Sequence, residues 1–594
     1  MPSTFDIETL GWDYPIAVGY YDDIGIYKDF IRRDDLDDVI WRFLQYLSTT
    51  KERVVYGHYA RQTSNKFILD CLVKHGQIAQ MQMGLGVLRW EEAKIEFRDS
   101  NLLLRLPLDK ACNAFGIQAK LKPGKRGRPW EMDSGKLTIF RAYLERDCRS
   151  LAEAYSRFQF EIVGQFGIPE TGSTLATTAL KIFDHMYPLD SIDPNREYQS
   201  FIRQSLYGAR NEIYCRYGEK LTLYDIRSMY LSCYDTPVPI GRLSWVHRPT
   251  LERGTLAETV VEVPKDWYIG PLPLHKSGSL LFPVGTFKGW WDMVELRYAA
   301  ELGCRVKVIR QLEAEEEPVL QEFGEKLVGL RYASNPELAK LWKVLGIQLI
   351  GKLAQARPST VIIHRTKLRD LEGWTPIDPR ELYFEGDRAV NRGLQNYQDR
   401  TIKPALTMRI RAEARVRHHR ALTQALETGK LFYCDTDSIY TTSQLPIGPH
   451  AGELQVVDTA IRAYFIMRKF YGYVRPSGEV KQKSSGFSGF KLTEEQFLQV
   501  LDGGELLVRN QKPTLSSSGT IFRSGGGKLE GIRYQRSIRT PSTTQNRVID
   551  GYNTRPVYLN GSESDEENLP RWSQYRVISP AGNAVGQGNQ GMST

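Results

Sequence analysis

The stretch Leu431-Phe-Tyr-Cys-Asp435-Thr-Asp437-Ser-Ile-Tyr440 places two carboxylates between two short runs of apolar and aromatic residues. This pattern predicts a β-hairpin that presents Asp435 and Asp437 at its tip. Two ionised carboxylates repel each other unless a cation compensates them, so a divalent metal is a natural partner. A polar turn with capping aspartates is the alternative interpretation.

A third carboxylate, Asp225, follows the strand-like run Leu221-Thr-Leu-Tyr224. The residues after it, Ile226-Arg-Ser-Met-Tyr-Leu231, are compatible with a short helix, so Asp225 alone is equally well explained as a helix cap. Carboxylates on two strands are also the arrangement that holds two Mg²⁺ ions about 4 Å apart in nucleotidyl transfer.

Both segments resemble known motifs. Tyr433-Cys-Asp-Thr-Asp-Ser438 resembles motif C of family B DNA polymerases, and Asp225-Ile-Arg-Ser-Met-Tyr230 resembles their motif A. The resemblance implies a DNA polymerase that uses two Mg²⁺ ions, or Mn²⁺ in their place, with dNTPs as substrates and a DNA template and primer as partners.

The same resemblance assigns roles to single residues. Asp225 and Asp437 would be the principal metal ligands, with Asp435 beside them near the primer end. Tyr230 would exclude a ribose 2′ hydroxyl. Leu231 departs from the family, which usually has proline there.

The run from Lys340 to Gln355 resembles motif B, the nucleotide-binding helix of the family. Lys343 would meet the incoming triphosphate, and Arg331, about three helical turns earlier, would assist it. Ile350 stands where the family has a tyrosine that stacks on the nascent base pair. An amphipathic helix with solvated lysines is the alternative interpretation.

Shorter matches flank these motifs. Arg468-Lys469-Phe-Tyr471 resembles the KxY motif that grips the primer strand, and Lys481-Gln-Lys483-Ser-Ser-Gly486 resembles the element after it. Leu206-Tyr-Gly208-Ala-Arg210 resembles the YxGG linker of protein-primed family members, which implies a terminal protein as a partner. The residues that these matches assign to DNA binding are Lys469, Tyr471, Lys483, Gly208 and Arg210.

The helical segment before motif C is dense in basic residues. Two interpretations stay open, the lining of a nucleic-acid channel and a solvated charged face. The residues concerned are Arg409, Arg411, Arg415, Arg417 and Arg420, with His418 and His419 among them.

The N-terminal region carries a second candidate metal site. Phe5-Asp6-Ile-Glu8-Thr9 puts Asp6 and Glu8 on one face of a strand, and Tyr143-Leu-Glu-Arg-Asp147 puts a phenol and a carboxylate on one face of a helix. These segments resemble the ExoI and ExoIII motifs of 3′–5′ exonucleases. The resemblance implies an RNase H-like fold in which Asp6, Glu8 and Asp147 hold metal and Tyr143 assists catalysis.

The ExoII motif is incomplete. Aligned to the family's pattern, the run from His58 to Phe67 leaves Tyr59 in place of the asparagine and Ser64 in place of the aspartate. A neutral serine hydroxyl is a poor Mg²⁺ ligand. We therefore expect weak or absent proofreading unless nearby Asp70 compensates.

Composition limits the alternatives. The 594 residues carry a formal net charge of +9, which suits a polyanionic partner. The seven cysteines form no CxxC pair, so neither a zinc cage nor a disulfide framework is expected. No basic, apolar leader or membrane-spanning run is evident. We expect a monomer without membrane contact, located in the cytoplasm, or in that of the host cell if the protein is viral.

The predicted fold class is α+β and multidomain. Residues 1–165 would form the RNase H-like exonuclease domain, and 166–560 a right-hand polymerase of palm, fingers and thumb. Family-specific insertions are placed near 245–325 and 355–402. The acidic, then Gly- and Ser-rich segment 561–594 is expected to be disordered.

The function expected from these features is DNA-directed DNA synthesis from a DNA or terminal-protein primer, in replication of a viral or plasmid-like genome. The alternative is a catalytically impaired relative that acts as a DNA-binding or terminal-protein-binding module. A nuclease acting through the first domain ranks last, because Ser64 weakens its metal site and the carboxylates after residue 200 would stay unexplained.

Overall fold

The structure is a computed structural model. It describes residues 1–561 apart from 12, 83–85, 119–120, 122–126, 356–358, 365–373, 377–382, 386–387, 396–400, 485–489, 510–513, 516–520, 522–530, 533–534 and 542–545. The expected disordered tail beyond 561, and much of the insertion expected near 355–402, therefore lie outside the described residues. Within the described part of the chain, no helix is both long enough and apolar enough to cross a bilayer.

The first sheet is built mainly from the N-terminal region. Its first strand pairs antiparallel with the second and parallel with Val54–Gly57. In chain order the strands are Ser3–Leu10, Tyr14–Tyr21, Tyr27–Ile31, Val54–Gly57, Ala79–Gln82, Val87–Trp90 and Ile95–Asp99, extended past Ala79–Gln82 by Ser359–His364, Trp374–Pro376, Tyr383–Glu385 and Arg388–Gln395.

The long helix Ser134–Phe166 covers one face of this sheet. It begins at Asp133, whose side chain accepts a hydrogen bond from the Lys136 amide, and it ends at Gly167, which has a φ of +67°. The helix lies so close to the second strand that a Cβ on Gly19 would sit 2.8 Å from Leu144. Helix residues are thereby brought against the first two strands.

A central sheet carries the segment from Leu431 to Tyr440 that contains Asp435 and Asp437. In spatial order its strands are Val480–Ser484, Phe470–Val474, Leu454–Met467, Tyr217–Ile226, Ser438–Thr441, Leu431–Asp435 and Asn211–Ile213. One face packs an aromatic cluster that includes Tyr433, Tyr440 and Phe465. The other face contributes Tyr224 and Ile439 to the largest apolar core, which also contains the helices around it.

A third sheet occupies the region where the first insertion is expected. Its strands are Ser244–Trp245, Leu256–Val263, Val284–Asp292, Arg305–Glu313 and the C-terminal Tyr558–Asn560. Small two-stranded sheets pair Val238–Pro239 with Glu316–Glu317, Leu274–Lys276 with Ser279–Leu281, Leu506–Arg509 with Gln535–Ile538, Thr514–Leu515 with Gly531–Ile532, and Arg547–Asp550 with Asn553–Pro556.

Helices pack around and between the sheets. The α-helices are Val39–Ser48, Ser64–Lys74, Asn101–Leu104, Leu108–Ala114, Ser134–Phe166, Leu175–Met186, Gln199–Gln204, Met229–Ser232, Met293–Glu301, Gln321–Ala333, Pro336–Leu353, Pro404–Thr428 and Glu494–Leu501. The helix Pro336–Leu353 has a well-defined start, because Asn335 accepts from the Leu338 amide and proline occupies the first helical position.

Candidate active site

The predicted hairpin is present, and it brings the three carboxylates to one end of the central sheet. Strands Leu431–Asp435 and Ser438–Thr441 pair antiparallel, with Thr436 in the turn at a φ of +64°. Ser438 lies opposite Asp225 on the neighbouring strand. The Ile226 amide donates to the Asp437 carbonyl at 2.9 Å. The prediction of a hairpin is confirmed.

Burial and mutual repulsion raise the pKa values at this site. Burial raises the pKa of Asp437 to about 6, with a further increase from Asp225 and an opposing effect from Lys343. The pKa of Asp225 is also raised by burial, against the influence of Lys343 and of Gln455, whose amide donates to it at 3.4 Å. Ionising both carboxylates is therefore costly in the absence of added cations.

Two lysines supply part of the missing positive charge. Lys343 Nζ lies 3.9 Å from Asp437 Oδ2, and Lys469 Nζ lies 3.1 Å from Asp435 Oδ1. Three carboxylates and two ammonium groups leave one formal negative charge when all are ionised. The donor set consists of carboxylate oxygens, which suits Mg²⁺ or Mn²⁺.

Close helix packing positions Lys343. The helix that carries it approaches the short helix after Asp225 so closely that a Cβ on Gly346 would sit 2.3 Å from Leu231 Cδ2. Tyr234 donates its hydroxyl hydrogen to the Gly346 carbonyl at 2.7 Å. Leu231, found in place of the family's proline, thus forms part of the contact that fixes the helix carrying Lys343.

The remaining residues assigned to the nucleotide lie around Asp225. Arg331 donates to the hydroxyl of Ser228, and its charge lowers the pKa of Asp225. Tyr230 is largely buried, which raises its pKa, while Arg411 lowers it. Arg331, Tyr230 and Lys343 therefore lie around the carboxylates. Arg331 is on Gln321–Ala333, the helix before the one that carries Lys343, and not three turns earlier on the same helix.

The residues assigned to the primer strand occupy different environments. Lys469 has a φ of +61° in the turn before Phe470–Val474, and its side chain reaches Asp435. Lys483 is exposed, on the strand paired with Tyr471. Tyr471 is only 6% exposed, and its hydroxyl lies 2.7 Å from that of Tyr440. In this structure Tyr471 packs behind the hairpin.

Arg210 lies in the protein interior, whereas the resemblance to the YxGG linker implied that it contacts DNA. Its side chain is 2% exposed, lies 2.7 Å from Glu212, and stacks on Phe282. It also donates to the Gly270 carbonyl. Burial and pairing keep this guanidinium away from DNA, so its expected DNA contact is not supported. Gly208 contributes its carbonyl, which accepts from Arg415 at 3.2 Å.

In the arginine-rich helix Pro404–Thr428, Arg409 and Arg415 fit neither interpretation, whereas Arg411 and Arg417 are half-buried and Arg420 is exposed. Arg409 is paired with Asp292 at 2.9 Å, and Arg415 forms two bonds with Glu295 at 2.7 and 2.8 Å. Both arginines are almost fully buried. His418 and His419 are buried as well, and burial lowers the pKa of His418 to about 3. Most residues of this helix are buried in the protein interior. Acidic side chains from other elements of the fold neutralise the charges of Arg409 and Arg415 there.

The N-terminal carboxylates also meet. Asp6, Glu8 and Asp147 offer oxygens that all lie within 4.8 Å of one another. Burial, Glu8 and Asp147 raise the pKa of Tyr143 beside them. Asp70 does not belong to this cluster, so the structure gives no support to its compensating for Ser64. The prediction that Asp6 and Glu8 share a strand face with helical Asp147 against them is confirmed.

Among the described residues, one other group offers ligand atoms that all lie within 4.8 Å of one another, namely Asp38, Cys71 and His75. Sequence reasoning did not single it out. Asp38 caps a helix by accepting from the Trp41 amide, and His75 Nε2 lies 3.2 Å from its carboxylate. Lys74 lies 3.5 Å from the same oxygen, so hydrogen bonding accounts for this group.

Comparisons with known proteins agree with this geometry. Residues 125–367 match the family model described as DNA polymerase type B, organellar and viral. Probable DNA polymerases of Podospora anserina and Ascobolus immersus are each 22% identical, over 387 and 405 residues that cover 58% and 56% of this chain. The chain spans about a third of the length of these relatives, 32% and 33% respectively.

Solved structures provide the comparison for the fold. Phi29 DNA polymerase, in complex with primer-template DNA and incoming nucleotide substrates, has a TM-score of 0.66 at 17% identity, covering 91% of this chain and all of that one. Its binary complex with primer-template DNA gives 0.65 at 18% identity, covering 90% of this chain and 99% of that one. The predicted fold class, an exonuclease-type domain followed by palm, fingers and thumb, is confirmed.

Proposed function

We propose that the chain is a DNA-directed DNA polymerase of the organellar and viral type B, the family whose model matches residues 125–367 and whose motifs the sequence resembles. It adds dNTPs to the 3′ hydroxyl of a DNA primer or to a terminal protein. One observation carries the proposal: Asp225, Asp435 and Asp437 converge at one sheet end, with Lys343 and Lys469 against them.

Asp225 and Asp437 would hold two Mg²⁺ ions, or Mn²⁺ in their place, with Asp435 beside them. When bound, the metals activate the attacking hydroxyl and stabilise the departing pyrophosphate. The protein contributes ionised carboxylates for this purpose. Since the pKa of Asp437 is raised to about 6, protons compete with metal for this carboxylate increasingly as the pH falls towards that value.

The two lysines are proposed to exchange partners when substrate arrives. Lys343, now 3.9 Å from Asp437, would turn to the triphosphate, and Lys469, now 3.1 Å from Asp435, would turn to the primer phosphates. Arg331 would assist Lys343, while Tyr230 would crowd a ribose 2′ hydroxyl. Lys483 would contact the primer strand from the exposed edge of the sheet.

Proofreading is proposed to be weak or lost. Asp6, Glu8 and Asp147 retain a metal-compatible cluster, with Tyr143 positioned beside it. Ser64 lies buried at the start of its helix, where the family's additional carboxylate is expected. Without that ligand, the second metal would be poorly held.

The resemblance of Leu206-Tyr-Gly208-Ala-Arg210 to the YxGG linker supports a terminal protein as partner, with residues 245–325 as its docking insertion. The proposed role is replication of a viral or plasmid-like genome by a monomeric enzyme in the cytoplasm. The competing candidate is a binding module without catalysis. It is favoured by two departures from the family, Ile350 in motif B and Ser64 in ExoII.

Primer extension tests these candidates together. A labelled primer on a circular single-stranded template is incubated with Mg²⁺ and four dNTPs, using wild type, Asp437→Ala and the exposed control Asp266→Ala. We expect extension by wild type and the control alone, and an intact primer in a nucleotide-free lane. DNA binding without extension by wild type, in the presence and absence of a terminal protein, would instead establish the binding module.

A further inference from the structure

The C-terminal residues 546–560 fold back onto the sheet that carries the catalytic carboxylates. Asn546 Nδ2 donates to the Asn211 carbonyl at 2.8 Å. The Thr554 hydroxyl donates to the Ile213 carbonyl at 2.6 Å, and its amide donates to the Tyr214 carbonyl at 2.9 Å. The segment thus donates hydrogen bonds to the backbone carbonyls of Asn211, Ile213 and Tyr214.

That strand, Asn211–Ile213, bears directly on the catalytic hairpin. It lies at the end of the central sheet and pairs with Leu431–Asp435. Asn211 stands opposite Asp435 in this pairing. A three-residue edge strand has little stability of its own. Residues that bind the free edge of Asn211–Ile213 therefore also restrict the backbone of Asp435 on the paired strand.

A buried ion network strengthens the contact. Glu212 is fully buried, with Arg210 at 2.7 Å and Arg547 at 3.7 Å from its carboxylate oxygens. Arg547 is 2% exposed and lies over the rings of Tyr214 and Tyr268, at 4.7 and 4.9 Å from their centroids. Arg547 also donates to the Tyr268 carbonyl at 3.0 Å. Arg547 thereby joins a buried network in which two guanidinium groups share the carboxylate of Glu212.

The network continues to the turn between the two aspartates. The Arg210 carbonyl accepts from the Thr436 amide at 2.8 Å. Thr436 adopts a left-handed backbone conformation, with a φ of +64°, which β-branched residues disfavour. The turn therefore depends on outside bonds to keep its shape, and Arg210 provides one of them.

We propose that residues 546–560 are a positioning element of the polymerase site and that Arg547 is its positioning residue. Through Glu212 and Arg210 it holds the turn that sets the relative placement of Asp435 and Asp437. The inference rests on the proposed function for its activity readout only. Its structural readout concerns the metal-free protein and does not require catalysis.

The test compares Arg547→Met with Arg555→Met, a control at an exposed position of the same C-terminal hairpin. Hydrogen–deuterium exchange of the metal-free, full-length protein is followed in peptides covering 431–441. We expect exchange there to be about tenfold faster in Arg547→Met and unchanged in the control. Peptides covering 3–10 in the first sheet should not change in either variant.

Kinetics provide the second readout. We expect kcat for primer extension to fall about 10- to 100-fold in Arg547→Met, with KM for dNTP nearly unchanged, because the defect concerns carboxylate placement. Arg547→Lys should recover part of the loss. If Arg547→Met does not fold, Thr554→Val replaces it, since it removes the hydroxyl that donates to the Ile213 carbonyl and accepts from Arg547 Nε.

Three outcomes decide the matter. Faster exchange within 546–560 with no change in 431–441 would overturn the inference, since the segment would then be released without consequence for the hairpin. A loss in kcat that Arg555→Met shares would overturn it as well. Faster exchange in the hairpin, combined with a wild type that never extends primers, would support the positioning role and refute the proposed function.

Discussion

Replacing Asp437 by asparagine should stabilise the metal-free protein while abolishing DNA synthesis. The pKa of Asp437 rises from 3.8 to about 6 on folding, through burial and the nearby charge of Asp225. Each pKa unit corresponds to about 1.4 kcal/mol. Keeping this carboxylate ionised in the folded state therefore costs about 3 kcal/mol at pH 8. Asparagine has the same shape without the charge, although Lys343 then loses its partner.

The sign of the pH dependence follows from the raised pKa. The folded protein binds this proton more tightly than the unfolded chain, so the cost is absent below pH 3.8, grows as pH rises to about 6, and is constant above. Chemical denaturation in EDTA should therefore show Asp437→Asn more stable than wild type by about 2–3 kcal/mol at pH 8, with the advantage shrinking towards pH 4.

The matched control for that experiment is Asp266→Asn, at an exposed position, which should change stability by less than about 0.5 kcal/mol. If Asp437→Asn is less stable than wild type at pH 8, or if its advantage does not depend on pH, the electrostatic account of the site is refuted. Loss of extension without any gain in stability would leave Asp437 essential for synthesis but would show that folding does not raise its pKa.

Two further substitutions test other parts of the molecule. Lys343→Met should lower kcat/KM for dNTP about 100-fold, measured by single-nucleotide incorporation. Lys340→Met, at an exposed position of the same helix, should stay near wild type. Equal losses in both variants would contradict the role assigned to Lys343. Arg415→Met should destabilise the protein by about 3–5 kcal/mol in denaturant unfolding, because Glu295 would be left buried without its main partner. Arg420→Met, at an exposed position of that helix, should have little effect, and a similar loss there would point to the helix rather than to the ion pair.

Local patterns were sufficient to predict the elements that carry the carboxylates. The short apolar and aromatic runs on either side of Asp435 and Asp437 predicted the hairpin, and the i, i+2 spacing of Asp6 and Glu8 predicted a shared strand face. In each case the side chain's direction follows from the strand period alone. Which strands would meet was inferred from the family's motifs, because no local pattern specifies a neighbour 200 residues away.

The fate of the arginines was not predictable for the same reason. Arg409 and Arg415 look like surface charges in sequence, since the acids that neutralise them, Asp292 and Glu295, lie more than 100 positions earlier. The buried pairing of Arg210 with Glu212 was not anticipated either, although its partner is only two positions away. A basic residue reveals its role only when its partner is known, and these partners come from other elements of the fold.

Burial of these arginines changes how the net charge of +9 bears on function. Arginines that are paired inside the protein do not attract DNA at close range. The lysines beside Asp435 and Asp437 therefore matter more for binding phosphate than the net charge of the chain does. Lys343 and Lys469 are each held by an aspartate before substrate arrives. A metal that takes over an aspartate would release a lysine to bind phosphate, and phosphate bound by a lysine would release an aspartate to bind metal. Metal and nucleotide binding should therefore reinforce each other in this site, because each one frees the group that the other requires.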